Sequence, residues 1–219
     1  MTNVAVILSG CGYLDGAEIR ESVLTLLYLD QQNTKVQIFA PDIDQHHVVN
    51  HLSGEETGET RNVLLESARI ARGQVKPLSD LDVGQFDALL IPGGYGVAKN
   101  LSDLAFKGGE AAPLPDFADA VNGFYMAGKP IGAICITPAV VAAILKGQNV
   151  TLTIGEDEGT ASVINGLGCN HKNAASDDVV VDKEHKIASC SAYMREDSLS
   201  AIAKGIEKVV YETLEMTKA

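Results

Sequence analysis

A cysteine that ends one predicted strand and opens the next predicted helix carries the most chemistry in this chain. In Lys129-Pro130-Ile131-Gly132-Ala133-Ile134-Cys135-Ile136-Thr137-Pro138 the apolar run stops at Cys135 and leaves no room for a loop. Residues 130–134 read as a buried strand, and 137–145 read as a helix with Pro138 in its first turn. So sharp a turn lifts the side chain at its apex above the carboxyl edge of the sheet. It also sets that side chain just ahead of a helix N-terminus, whose partial positive charge favours thiolate. Cys135 is therefore read as a nucleophile rather than as a small core residue, the usual fate of an unpaired cysteine.

Two more stretches offer chemistry to the same edge. Gly93-Gly94 follows the apolar run 87–91, and two consecutive glycines let backbone N–H groups come close to a ligand. With the N–H of Ile136, the Gly93 and Gly94 amides are expected to form an oxyanion hole opposite the sulfur. In Asp15-Gly16-Ala17-Glu18-Ile19-Arg20-Glu21 the carboxylates of Glu18 and Glu21 are three apart and share one helix face. Cys11, in Ser9-Gly10-Cys11-Gly12, emerges directly after the first strand and is a further candidate. Cys169 and Cys190 complete the set, with no C-x-x-C pair, so neither a zinc site nor a thioredoxin motif is indicated. His46, His47 and His51 lack metal-ligand spacing and read as structural or exposed. Of the later histidines, His171 is the candidate for the pocket, while His185 falls in the hairpin turn expected at 183–185.

The elements that must hold these residues alternate between strand and helix. Residues 4–8, 36–39, 87–91 and 130–134 read as continuous apolar strands, with helices at 17–29, 61–72, 116–127 and 137–145. In the first helix Ile19, Val23, Leu26 and Leu27 recur at helical spacing. Residues 42–60 and 99–115 interrupt the rhythm as polar and Gly/Ala/Pro-rich excursions. Residues 149–154 read as a strand, 178–182 and 186–190 as a strand pair, and 197–215 as a closing amphipathic helix. The fold expected is α/β: a flavodoxin-like, doubly wound sandwich with a mostly parallel sheet and an antiparallel addition at one edge. The whole chain, 1–219, reads as one domain.

Composition limits the partners. A formal charge of −12 over 219 residues disfavours nucleic acid and anionic membrane surfaces. No apolar run approaches the roughly 20 residues of a membrane span, and the first has no basic segment before it. A cytoplasmic protein with free thiols is the expectation.

The motifs resemble those of the ThiJ/PfpI superfamily. Gly16-Ala17-Glu18-Ile19-Arg20-Glu21 is similar to its first-helix motif, with Glu21 at the cysteine-contacting position, and Ala133-Ile134-Cys135-Ile136-Thr137-Pro138 is similar to its elbow. Val6-Ile7-Leu8-Ser9-Gly10-Cys11-Gly12, Asn50-His51-Leu52-Ser53-Gly54-Glu55, Glu59-Thr60-Arg61-Asn62-Val63-Leu64 and Ala98-Lys99-Asn100-Leu101 resemble the ElbB-like branch. Its members are called enhancing-lycopene-biosynthesis or isoprenoid-biosynthesis proteins with an amidotransferase-like domain. The resemblance implies a class I glutamine amidotransferase-like fold, a homodimer, and a cofactor-independent glyoxalase-like lyase. In that reading Cys135 adds to a small 2-oxoaldehyde such as glyoxal or methylglyoxal, and a 2-hydroxy acid is released through a hemithioacetal. Glu21, held protonated, donates to the thiolate and moves the proton. The chain departs from the superfamily where Ile136 follows Cys135 and residues 150–155, shortly after the elbow helix, offer no histidine, which lowers the deglycase or amidase version. A redox sensor acting through oxidation of Cys135 is the other reading, and amidotransferase action ranks last for want of a late His-x-Glu pair.

Overall fold

Residues 1–218 are described by the computed structural model. The chain begins β1 (Asn3–Ile7), α1 (Ile19–Gln31), β2 (Lys35–Ala40), α2 (Val63–Ile70) and β3 (Val75–Pro77). It continues β4 (Ala88–Ile91), α3 (Tyr95–Lys99), α4 (Leu104–Lys107), α5 (Pro115–Met126), β5 (Ile131–Ile134) and α6 (Thr137–Ile144). It closes with β6 (Thr151–Leu152), α7 (Glu158–Gly166), β7 (Asn170–His171), β8 (Val180–Asp182), β9 (Ile187–Cys190) and α8 (Leu199–Glu215).

Seven strands form one sheet in the order β3-β2-β1-β4-β5-β9-β8. All its pairings are parallel except β8 with β9, where Val180 faces Ser189 and Asp182 faces Ile187 in an antiparallel edge. The fold is thus the mostly parallel α/β sandwich with one antiparallel edge. Burial on both faces explains the unbroken apolar runs, because side chains alternate between two cores. Val4, Val6, Leu90 and Ile134 enter the core beneath α8, while Ala5, Ile7, Leu89 and Ile131 enter the core beneath α5 and α6.

The helices differ from expectation in one instructive place. In α1 the apolar residues Ile19, Val23 and Leu27 are 45%, 50% and 45% exposed, whereas Glu21, Ser22, Thr25 and Leu29 face inward. Three of the four residues of the expected stripe therefore lie on the outer face, while Leu26 packs against the core and the inner face also carries a carboxylate that belongs to the site. Residues 149–154 shorten to β6, which pairs only with β7 in a separate parallel pair. Side chains take the place of a main-sheet ladder there: Asp182 accepts from the Thr151 amide at 2.6 Å and Ser189 from the Thr153 amide at 3.0 Å. α7 carries little helix signal in the sequence, since Gly159, Thr160, Val163 and Gly166 are poor helix formers. Asp157 starts it by accepting the Thr160 amide at 2.8 Å.

The two excursions pack rather than dangle. The Val49 amide donates to Asp15 at 2.7 Å, tying the first excursion to the loop between β1 and α1, and Leu104 of the second is buried.

Candidate active site

The topology brings four strand ends to one place, those of β1, β4, β5 and β9, the region where open α/β sheets bind ligands. Cys135 follows β5 with φ of 65°, a left-handed conformation unusual for any residue but glycine. Its amide donates to Cys190 O at 3.0 Å, and the Thr137 hydroxyl donates to Pro92 O at 3.2 Å, so both sides of the turn are clamped. The turn is the strand-to-helix elbow the sequence indicates, and its strain is that of a side chain held up for use. The amides of Gly94 and Ile136 favour the charged form of the sulfur.

Glu21 comes to the same sulfur from α1. Its side chain is fully buried; one carboxyl oxygen accepts the Gly93 amide at 2.8 Å and the other the Tyr193 amide at 3.3 Å. Burial, with the negative charge of Glu18 beside it, pushes this carboxyl up to about 8, against the Cys135 thiol and the amides of Tyr193 and Gly93, which favour its charged form. Glu21 is therefore mainly protonated at neutral pH.

The thiol departs from the expected low pKa. Burial and the charge of Glu21 push Cys135 well above its ordinary value, and the Gly94 and Ile136 amides only partly oppose them. An N-terminal helix field cannot offset loss of solvent around a sulfur this enclosed. The resting pair is a thiol beside a carboxylic acid.

Gly93 also requires correction. Its N–H is taken by Glu21, so the amides facing the sulfur are those of Gly94 and Ile136 alone. Its need for glycine is steric: a Cβ there would lie 2.4 Å from the Cys135 Cβ and 2.8 Å from Glu21 Oε2. Gly94, at φ of 99°, would put a Cβ 2.4 Å from the Glu18 N and Gly16 O atoms.

Above the sulfur lies a cleft of about 330 Å³ whose walls include Tyr13, Glu18, Tyr95, Asp157, Thr160 and Tyr193. Glu18 accepts the Glu21 amide at 2.6 Å as the cap of α1 and presents its edge to the cleft, so the two acids do different work. Cys11 lies elsewhere. Its neighbour Gly10 donates to Ser67 of α2 at 3.0 Å, and its charged surroundings are Glu66, Asp15, Arg61 and Arg69. His171 stays in β7, where its Nε2 accepts the Ile154 amide at 3.2 Å and so cannot serve Cys135. Among the described residues, no group of three or more His, Cys, Asp or Glu side chains could hold a metal ion.

Tyr193 and Tyr13 went unread in the sequence. Tyr193 follows β9, and the pairing of β9 parallel to β5 is the signal that places it at the same edge. Its hydroxyl accepts from Arg20 at 3.0 Å. Tyr13 meets the ring of His51 edge-on at 5.4 Å, and His51 Nε2 accepts the Leu14 amide at 3.2 Å. Lys99 donates to Leu14 O at 2.9 Å and to His47 at 3.0 Å. The histidine-bearing excursion thus holds the Tyr13 loop from outside.

The DJ-1/PfpI family profile matches residues 13–202. The chain belongs to the DJ-1/PfpI family. It is 41% identical over 98% of its length to the human (Homo sapiens) protein named glutamine amidotransferase-like class 1 domain-containing protein 3, mitochondrial, covering 83% of that protein. The Rattus norvegicus ES1 protein homolog, mitochondrial, is 40% identical over 98% of the chain and 84% of its own length. A crystal structure of an isoprenoid biosynthesis protein with an amidotransferase-like domain from Ehrlichia chaffeensis superposes with a TM-score of 0.93 at 48% identity, covering 99% of both chains. These relatives correct the expectation of a cytoplasmic protein, since the two mammalian proteins are mitochondrial. Charge and composition describe the folded domain, whereas a compartment is set by an address that receptors read. Within the DJ-1/PfpI family, which includes cysteine-dependent hydrolases and glyoxalases, the elbow cysteine and the buried Glu21 are the parts of this chain fitted for chemistry.

Proposed function

We propose that this family member is a cofactor-independent glyoxalase-like lyase acting on 2-oxoaldehydes. One observation carries the reading: a fully buried carboxyl, raised to about 8, interacts with the cysteine that lines the cleft. Such a group takes and returns a proton near neutral pH, as carbon-acid chemistry requires.

The sequence of steps follows. In its ionised form Glu21 accepts the thiol proton as Cys135 Sγ bonds to the aldehyde carbon, and the Gly94 and Ile136 amides hold the developing alkoxide. The alkoxide takes a proton to give the hemithioacetal, and Glu21, its carboxylate restored, then removes the proton from the former aldehyde carbon. The hemithioacetal hydroxyl proton passes to the neighbouring carbonyl oxygen, the proton on Glu21 exchanges with solvent, and Glu21 protonates the neighbouring carbon to leave a thioester. Its restored carboxylate takes a proton from the attacking water and gives one to the sulfur as the carbon–sulfur bond breaks, releasing the 2-hydroxy acid and the thiol.

The deglycase or amidase version also needs a proton for a leaving amine, and no imidazole stands at the sulfur to give it, since His171 is committed to Ile154. The redox-sensor version needs a resting thiolate, which burial and Glu21 oppose. The test is glycolate formation from glyoxal by wild type and Cys135→Ser. The wild type should form glycolate bearing solvent deuterium on its hydroxymethyl carbon in D2O, and Cys135→Ser should lose roughly a thousandfold or more of the rate. Equal rates in the two proteins would refute the reading.

A further inference from the structure

The cleft over Cys135 does not end where a three-carbon aldehyde would. A second hollow of about 280 Å³ shares Tyr95, Ile136, Asp157 and Thr160 with the first and continues between Ala98, Leu104, Ala105 and Val163. The first hollow alone has room for roughly ten water-sized units at about 30 Å³ each. Leu104 and Ala105 come from the 99–115 excursion and Val163 from α7, so the two segments least legible in the sequence build the opposite walls.

The charge of the walls is as one-sided as their shape. Among the described residues, no Lys, Arg or His lines either hollow, and the charged side chains that do are Glu18 and Asp157. Two cations stand behind the walls on neutral partners: Arg20 donates to the Tyr193 hydroxyl at 3.0 Å, and Lys99, 4.9 Å from the Tyr95 ring centroid, donates to Leu14 O. A phosphorylated or carboxylated substrate would meet two carboxylates and no cation on the walls.

We propose that the cleft takes a neutral substrate with an aryl or branched-alkyl substituent, its carbonyl over Cys135 and its substituent between Leu104 and Val163. Resting on the lyase reading, this makes the substrate an apolar-substituted 2-oxoaldehyde. It also gives the product a way out, since the new carboxylate is repelled by Glu18 and Asp157 as it forms.

The pocket is tested independently of turnover by alkylating Cys135 with iodoacetamide, its N-phenyl analogue and iodoacetate. Each rate is divided by that probe's rate with a small free thiol. At low salt the N-phenyl probe should exceed iodoacetamide by about tenfold, from burial of the ring. Iodoacetate should fall below iodoacetamide by about tenfold, a gap that closes as salt is added. Ala105→Phe and Val163→Phe, which fill the second hollow, should each reduce the phenyl-to-neutral ratio. Asp157→Asn keeps the cap of α7 while removing its charge, and should raise the iodoacetate rate relative to iodoacetamide. No gain for the phenyl probe, or ratios unmoved by all three variants, would overturn the proposal. In parallel, phenylglyoxal should exceed methylglyoxal in kcat/KM. Selective alkylation without turnover of either aldehyde would keep the substrate class and sink only the lyase reading.

Discussion

Replacing Glu21 by Gln should flatten the dependence of stability on pH. Raising a buried carboxyl from 4.5 to about 8 places about 5 kcal/mol against its charged form in the folded protein, at about 1.4 kcal/mol per pKa unit. The sign follows from proton binding. Between 4.5 and about 8 the folded state holds a proton on Glu21 that the unfolded state has lost, so stability falls as pH rises through that window. The slope from this group is about 1.4 kcal/mol per pH unit, and the loss levels off above the folded value. Glutamine cannot ionise, so Glu21→Gln removes that slope. The amide also disturbs the hydrogen bonds from Gly93 and Tyr193, a pH-independent cost of about 1–3 kcal/mol, so the slope and not the level is the readout. Urea unfolding of both proteins from pH 5 to 8 measures it. Because other titrating groups are common to both, the stability difference should shift in favour of Gln by about 4 kcal/mol across that range. Parallel profiles would mean that Glu21 is ionised in the folded state, and the proton-transfer role would fall with it.

Three other outcomes follow from the same geometry. Alkylation of Cys135 by iodoacetamide should be slow at pH 7 and climb steeply above pH 8, because both burial and the charge of Glu21 oppose the thiolate; a rate already at its plateau by pH 7 would contradict this. Gly93→Ala should lower stability by about 3 kcal/mol or more, seen as a Tm fall of roughly 6–12 °C, because its Cβ would overlap the Cβ of Cys135. His171→Ala should cost about 1 kcal/mol through loss of the acceptor for the Ile154 amide, yet leave dicarbonyl turnover unchanged; a collapse in rate would restore a histidine to the mechanism.

The sequence alone determined what depends on neighbours along the chain. Unbroken apolar strands separated by helices require a sheet covered on both faces, and a cysteine trapped between strand and helix with no loop must stand at the sheet's edge. Cys135, Gly94, Ile136 and, through the family motif, Glu21 could be named on that basis. What depends on partners far along the chain was decided by the tertiary structure. Ile19, Val23 and Leu27 of α1 face outward, and the inward face carries Glu21 to a sulfur more than one hundred residues away. The Gly93 amide is spent on that carboxylate, which no spacing of glycines discloses. The acidity of the thiol is hidden from the sequence for the same reason. A helix N-terminus is visible locally, but desolvation is a property of everything packed around the sulfur, and here it prevails. Tyr193 and the second hollow likewise exist only once β9, α4 and α7 have closed around the end of β5.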